Sequence, residues 1–200
     1  MRVPALILPL LLGTGLAAQT TTFNGGLQTG LNLPVGDFAD KKGTLGEYVG
    51  ANGGVGLHFG GHFDFNFTQH HQLRLMLNAN GFASKEQTIF GNTQQNTFSV
   101  AQAGADYVFN ATSPVHGGYF LVGLNVNRIK ATYELAGYPD LESNQSGRLG
   151  LRIGGGYTFN RLFSLEGHFN SVSVEKTGID GLGMDSLTWL SISAVFRFGR

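Results

Sequence analysis

From Phe23 onward the hydrophobic pattern of the chain repeats every two residues, the period of a strand with two unlike faces. In Leu27-Gln28-Thr29-Gly30-Leu31-Asn32-Leu33 the leucines take odd positions, and polar residues or glycine take the even ones. A longer run sets Val49, Ala51, Val55, Leu57, Phe59, Phe63, Phe65 and Phe67 on one face, opposite Asn52, Gly56, His58, His62, Asp64 and Asn66. The turn Thr68 to His71 joins it to Leu73, Leu75, Leu77 and Ala79, which alternate with Arg74, Met76, Asn78 and Asn80 and so predict a hairpin. Strands are also predicted over Phe98 to Phe109, Tyr119 to Ile129, Arg148 to Phe159, around Leu165 to Asn170 and over Leu187 to Phe198. In the strand that begins at Tyr119, Leu121 interrupts the alternation of Phe120, Val122, Leu124 and Val126 with Gly123, Asn125 and Asn127.

The connections sort into two classes. Those after the second, fourth and sixth strands are brief; Pro34 to Tyr48, Ser84 to Asn96, Lys130 to Gly147 and Val172 to Ser186 are long. Short periplasmic turns, longer external loops and an even strand number are the plan of transmembrane barrels. The predicted fold class is therefore all-β: an eight-stranded antiparallel up-and-down transmembrane β-barrel, residues 19–200, behind a cleaved signal peptide, residues 1–18. Arg2, the apolar run Ala5 to Leu12 and the small residues Gly13 to Ala18 carry the signal, which is too short to span a bilayer as a helix.

Alternation alone leaves open which face is inside, so a soluble lipocalin-like ligand-binding barrel is the competing architecture. Three features favour lipid outside. Phe65, Phe67, Tyr107, Phe109, Tyr157, Phe159, Phe196 and Phe198 gather at the turn ends of the strands as a periplasmic girdle, and Phe23, Tyr119, Phe120 and Phe163 lie beside them. The polar face mixes glycine and asparagine with Asp64, Arg74, Asp106, Arg152, Glu166 and His168, a set suited to a paired lumen network. A closed barrel also satisfies its own backbone within hydrocarbon.

Composition narrows the class further. Charged residues are only 13 % of the chain, with 31 glycines and 16 phenylalanines, and the 13 basic and 13 acidic residues balance, so nucleic acid is not expected as a partner. Cysteine is absent, which removes disulfides and thiolate metal sites.

On these residues the mature chain resembles the eight-stranded outer-membrane β-barrel domain of OmpA-like and OmpX-like proteins. The carriers are the opening strand running into Leu33-Pro34-Val35-Gly36-Asp37-Phe38, the strand end Asp106-Tyr107-Val108-Phe109, and the closing Val195-Phe196-Arg197-Phe198, after which Gly199 and Arg200 depart from a terminal aromatic. The resemblance implies a monomer in the cell outer membrane with a structural, adhesive or surface-interaction role. Its expected partners are outer-membrane lipid and lipopolysaccharide, the barrel-assembly machinery during insertion, and a ligand of the loops that the sequence does not name. No peptidoglycan-binding domain, and so no cell-wall tether, is expected. The loops carry Lys41, Lys42, Glu47, Lys85, Glu86, Glu134, Asp140, Glu142, Asp180 and Asp185, a mixed set without a ligand signature.

Candidate chemistry is sparse, and no catalytic, metal or cofactor residue is assigned. His58 and His62 are about 13 Å apart along a strand, too far to share one ion. Gly53-Gly54-Val55-Gly56 lacks the lysine and helix of a phosphate loop and suits barrel curvature. Glu166, His168 and Asn170, followed by Ser171, faintly resemble the His-x-Ser-Asn segment of the outer-membrane lipid A deacylases, the alternative enzymatic reading. The position that would share a face with His168 holds Asn170 and not serine, so a lumen network with Arg152 and Arg74 is preferred. An eight-stranded interior nearly filled by side chains argues against a wide channel.

Overall fold

The structure, a computed structural model, describes residues 22–39, 52–84, 86–89, 92–177 and 182–199. The signal segment 1–18 lies outside these residues, as do Lys41, Lys42, Glu47, Val49, Ala51, Lys85 and Asp180.

Among the described residues nine strands form: β1 (Thr22–Val35), β2 (Gly53–Asn66), β3 (His71–Ser84), β4 (Gln87–Ile89), β5 (Asn92–Asn110), β6 (Gly117–Leu135), β7 (Leu141–Thr158), β8 (Phe163–Ser173) and β9 (Ser186–Gly199). All pairings are antiparallel, and β4 pairs with β5 alone as a small external hairpin. The other eight strands form the wall. β9 pairs with β1, and β3 pairs with β5, so the sheet closes on itself and leaves no wall strand without two neighbours.

The closed sheet settles which face is inside. Leu57, Leu77, Leu124 and Leu149 are 67–69 % exposed on the exterior, whereas Asp64, Arg74, Arg152 and Glu166 are at most 2 % exposed in the interior. A soluble barrel would bury the first group and hydrate the second, so the lipocalin-like alternative fails on orientation. The alternation of hydrophobic and polar residues thus records two solvents, hydrocarbon outside and a polar lumen within. Leu121, which breaks the alternation, points inward and is fully buried beside Val108 and Tyr119.

Two predicted loops are strand instead. Most of Ser84 to Asn96 and Lys130 to Gly147 belongs to β4, β5, β6 and β7, and the β6–β7 connection is only Ala136 to Asp140. From the adjoining ends of the predicted strands into these segments, the alternation along β5 and β6 continues with its phase inverted. Phe98, Val100, Ile129, Ala131 and Tyr133 face in, while Ser99, Lys130, Thr132 and Glu134 face out. β5, β6 and β7 hold 19, 19 and 18 residues. About 9–11 tilted residues cross a bilayer. The surplus stands in water, where the outer face becomes polar and the inner face gathers a core.

That core closes the mouth at the long-strand end. Phe38, Phe82, Phe98, Val100, Ile129, Ala131, Val172, Leu182, Met184, Leu187 and Trp189 are 0–4 % exposed and form one cluster. Phe38 enters it from a 3-10 turn, Gly36–Phe38, and its ring stacks edge-on to Phe82 at 4.9 Å and Phe98 at 5.2 Å. A Cβ on Gly53 would meet the Phe38 carbonyl oxygen at 2.8 Å and its ring at 2.9 Å, so glycine is what lets the turn seat there.

Candidate functional site in the barrel interior

Below the apolar layer the interior is polar, and each side chain gets there because strand alternation sends every second residue inward. Glycine makes the space. His62 and His58 on β2 pair in register with Gly26 and Gly30 on β1, and a Cβ on Gly26 would lie 2.4 Å from the His62 ring. A Cβ on Gly123 would likewise lie 2.0 Å from Asp106 Oδ1.

An ionic layer is centred on Glu166 of β8. Arg74 of β3, on another part of the wall, donates through Nη1 to Glu166 Oε2 at 2.6 Å and through Nε to Asp64 Oδ1 at 3.0 Å. Arg152 donates through Nη2 to Glu166 Oε1, and its Nη1 lies 3.5 Å from Asp106 Oδ2. His168 Nδ1 lies 3.4 Å from Glu166 Oε1 and 3.3 Å from Arg152 Nη2. The structure thus brings Asp64, Arg74, Asp106, Arg152, Glu166 and His168 together across the lumen. The sequence did not single out Tyr119 for the interior. Its predicted place among the outer aromatics is corrected: the ring is buried, the hydroxyl donates to Glu166 Oε2 at 2.8 Å, and the Arg197 guanidinium sits 5.4 Å over its centroid. Arg197 Nη1 donates to the Pro114 carbonyl at 2.7 Å, tying this layer to the β5–β6 turn.

Between the ionic layer and the apolar mouth lies a neutral layer that the sequence reading did not assemble. Asn32 donates through Nδ2 to Asn80 Oδ1 at 3.0 Å, so its Oδ1 is the acceptor for Ser191 Oγ at 2.7 Å and for His58 Nδ1 at 3.0 Å. His58 Nε2 then accepts from Ser193 Oγ at 2.8 Å. Serine, histidine and amide thus stand in the order of a hydrolase relay. Ser193 is fully buried, however, with the apolar layer on one side and the ion pairs on the other, so the arrangement serves as a closed hydrogen-bond network. Ser191 and Ser193 on the inner face of the last strand were the available sequence signal, but only the β9–β1–β2 register sets them against Asn32 and His58. Asn170, which took the deacylase serine position, donates to Ser191 Oγ at 3.2 Å, and buried His168 faces the lumen and not the acyl chains outside. Among the described residues no group of three or more His, Cys, Asp or Glu could hold a metal ion.

At the turn end of the exterior, Phe67, Tyr107, Phe109, Tyr157, Phe159, Phe196 and Phe198 are exposed. Phe65 is half-buried under Phe23, with ring centroids 5.2 Å apart. The rings of Tyr157, Phe159, Phe163 and Phe196 follow one another at 5.1–5.7 Å.

Three solved structures share this architecture. The N-terminal β-barrel domain of Pseudomonas aeruginosa OprF superposes with a TM-score of 0.52 at 12 % identity, covering 90 % of this chain and 100 % of that one. Neisserial surface protein A gives 0.51 at 12 %, covering 91 % and 100 %. Ail, the attachment invasion locus protein of Yersinia pestis, solved with the heparin analogue sucrose octasulfate, gives 0.51 at 11 %, covering 89 % and 97 %. The fold is that of the eight-stranded outer-membrane β-barrels. No protein-family model and no curated protein sequence matches the chain.

In an outer-membrane barrel the short turns face the periplasm and the long connections face outward. The aromatic rings above lie at the short-turn end of the wall. The apolar layer, the small β4–β5 hairpin and the surplus of β5, β6 and β7 are external. Among the described residues at this end Lys130 and Glu142 pair at 2.9 Å, Lys176 and Asp185 at 3.3 Å, and Arg148 pairs with Glu175.

Proposed function

We propose that the protein is a surface-interaction barrel, a rigid outer-membrane cylinder that holds the external β5–β6–β7 extension clear of the bilayer for contact with another surface. Insertion by the barrel-assembly machinery and contact with the lipopolysaccharide of the external leaflet belong to this reading. One observation carries it: at the tip of the longest hairpin, beyond the apolar band, Tyr138 and Leu141 are 63 % and 70 % exposed. Large apolar side chains in water at the end of a well-paired support are the composition of a protein-binding hot spot. Around them the exposed Glu134 and Asp140 and the Lys130–Glu142 pair present no surplus of positive charge, which does not favour a polyanion such as the heparin analogue bound by Ail. A folded protein surface suits them better.

Cells of a non-adherent Gram-negative strain displaying the protein test this by their retention on protein-coated surfaces and on epithelial monolayers. Wild type is expected to raise retention several-fold, and Tyr138→Ser/Leu141→Ser to return it to background with unchanged surface amount. Equal retention by the displaying and the empty strain defeats the reading.

A further inference from the structure

The barrel has two candidate barriers across its interior, the Glu166-centred ion pairs and the apolar layer at the external mouth, and they differ in one physical respect. The ionic and neutral layers are lined by groups that attract water. Several of their buried polar atoms, among them Gln28 Oε1, Gln102 Nε2 and Asn125 Nδ2, have no protein partner. At the short-turn end the apolar cluster is only Val108, Tyr119 and Leu121, from β5 and β6, while the buried Thr158, Ser164 and Arg197 of β7, β8 and β9 are polar. The external layer is apolar from many sides at once: Phe82 from β3, Phe98 from β5, Val172 from β8, Leu187 and Trp189 from β9, and Phe38 inserted from the 3-10 turn. An apolar constriction excludes ions by refusing the water they travel in. An ion-paired layer lacks that property, because its side chains can exchange partners with water.

We infer that the barrel is a blind cup: the apolar layer, and not the ion-pair layer, is the barrier to ions and small solutes, and the polar interior is sealed from the outside. Its cluster of aromatic and aliphatic side chains, each at most 4 % exposed and interrupted on the β7 side by the buried Ser143 and Gln145, is the observation that assigns this role.

The purified full-length barrel in planar lipid bilayers supplies the test, with correct folding checked by heat-modifiable gel mobility. Wild type and Glu166→Gln are expected to be silent. Phe38→Ser/Trp189→Ser, which lets water into the layer, is expected to raise ion leak at least tenfold. Val100→Thr/Val172→Thr changes polarity with almost no change of shape, so it keeps the test open should the first pair fail to fold; it is expected to leak measurably more than wild type. A leak that appears in Glu166→Gln, with both mouth variants silent, overturns the inference, as does a conducting wild type.

Discussion

Glu166 receives two guanidiniums and a phenol, from Arg74, Arg152 and Tyr119, in a site from which water-exposed surface is absent. Removing one member of a buried ion-pair network leaves its partners charged and unmatched, at a cost of about 3–5 kcal/mol. Glu166→Ala is therefore expected to lower the urea midpoint of the barrel refolded in detergent by that equivalent, with the slope unchanged. Glycine positions differ just as sharply. A Cβ on Gly30 would meet the Ile192 carbonyl oxygen at 1.9 Å, a backbone atom that cannot swing aside, whereas a Cβ on Gly81 meets nothing within 4 Å. Gly30→Ala is expected to cost roughly 1–3 kcal/mol, the usual penalty of overpacking, and Gly81→Ala to leave the midpoint within error. How closely the neighbouring strand approaches each glycine is invisible in the chain, where each follows a polar residue and precedes an apolar one. The inward direction of Glu166 and His168, by contrast, follows from alternation alone.

Strands pass through two environments, and β6 shows both. Val122, Leu124 and Val126 face outward in the apolar band, and then Arg128, Lys130 and Thr132 face outward above it, while Leu121 and Ile129 face in. Placing arginine on the lipid face near the midplane costs about 2–4 kcal/mol and near the interface about 0–1 kcal/mol. Leu124→Arg is thus expected to lower stability by the larger amount and Thr132→Arg to change little. Equal effects at the two positions would place the membrane edge elsewhere on β6. In the sequence this strand ends at Ile129, where one phase of the pattern, apolar out, stops. Past that point the exterior is water and the interior is the mouth core, so the same alternation runs apolar in, and periodicity without a solvent reference reads it as loop.

At the scale of the whole molecule, a wall whose every strand has two partners opens cooperatively or not at all. The protein refolded in detergent is expected to migrate as a compact, fast band that needs boiling to slow, with a β-rich circular dichroism spectrum on the same sample. A β-rich state that forms only without detergent would contradict the outward-facing apolar surface. The eight-strand count, the outward apolar face and the membership of Asp64, Arg74, Asp106, Arg152, Glu166 and His168 in the interior were legible in the chain, because each depends only on the period of two and on connection lengths. Tertiary structure alone decided the rest. It set Arg74 against Glu166, 92 residues apart, and Ser193 against His58, 135 residues apart, because closure and register fix which inward side chains share a level. It set Tyr119 against Glu166 and gathered Phe38, Phe98 and Trp189 into one layer for the same reason. A strand records locally which side each residue faces, but the depth at which side chains meet is a property of the closed barrel.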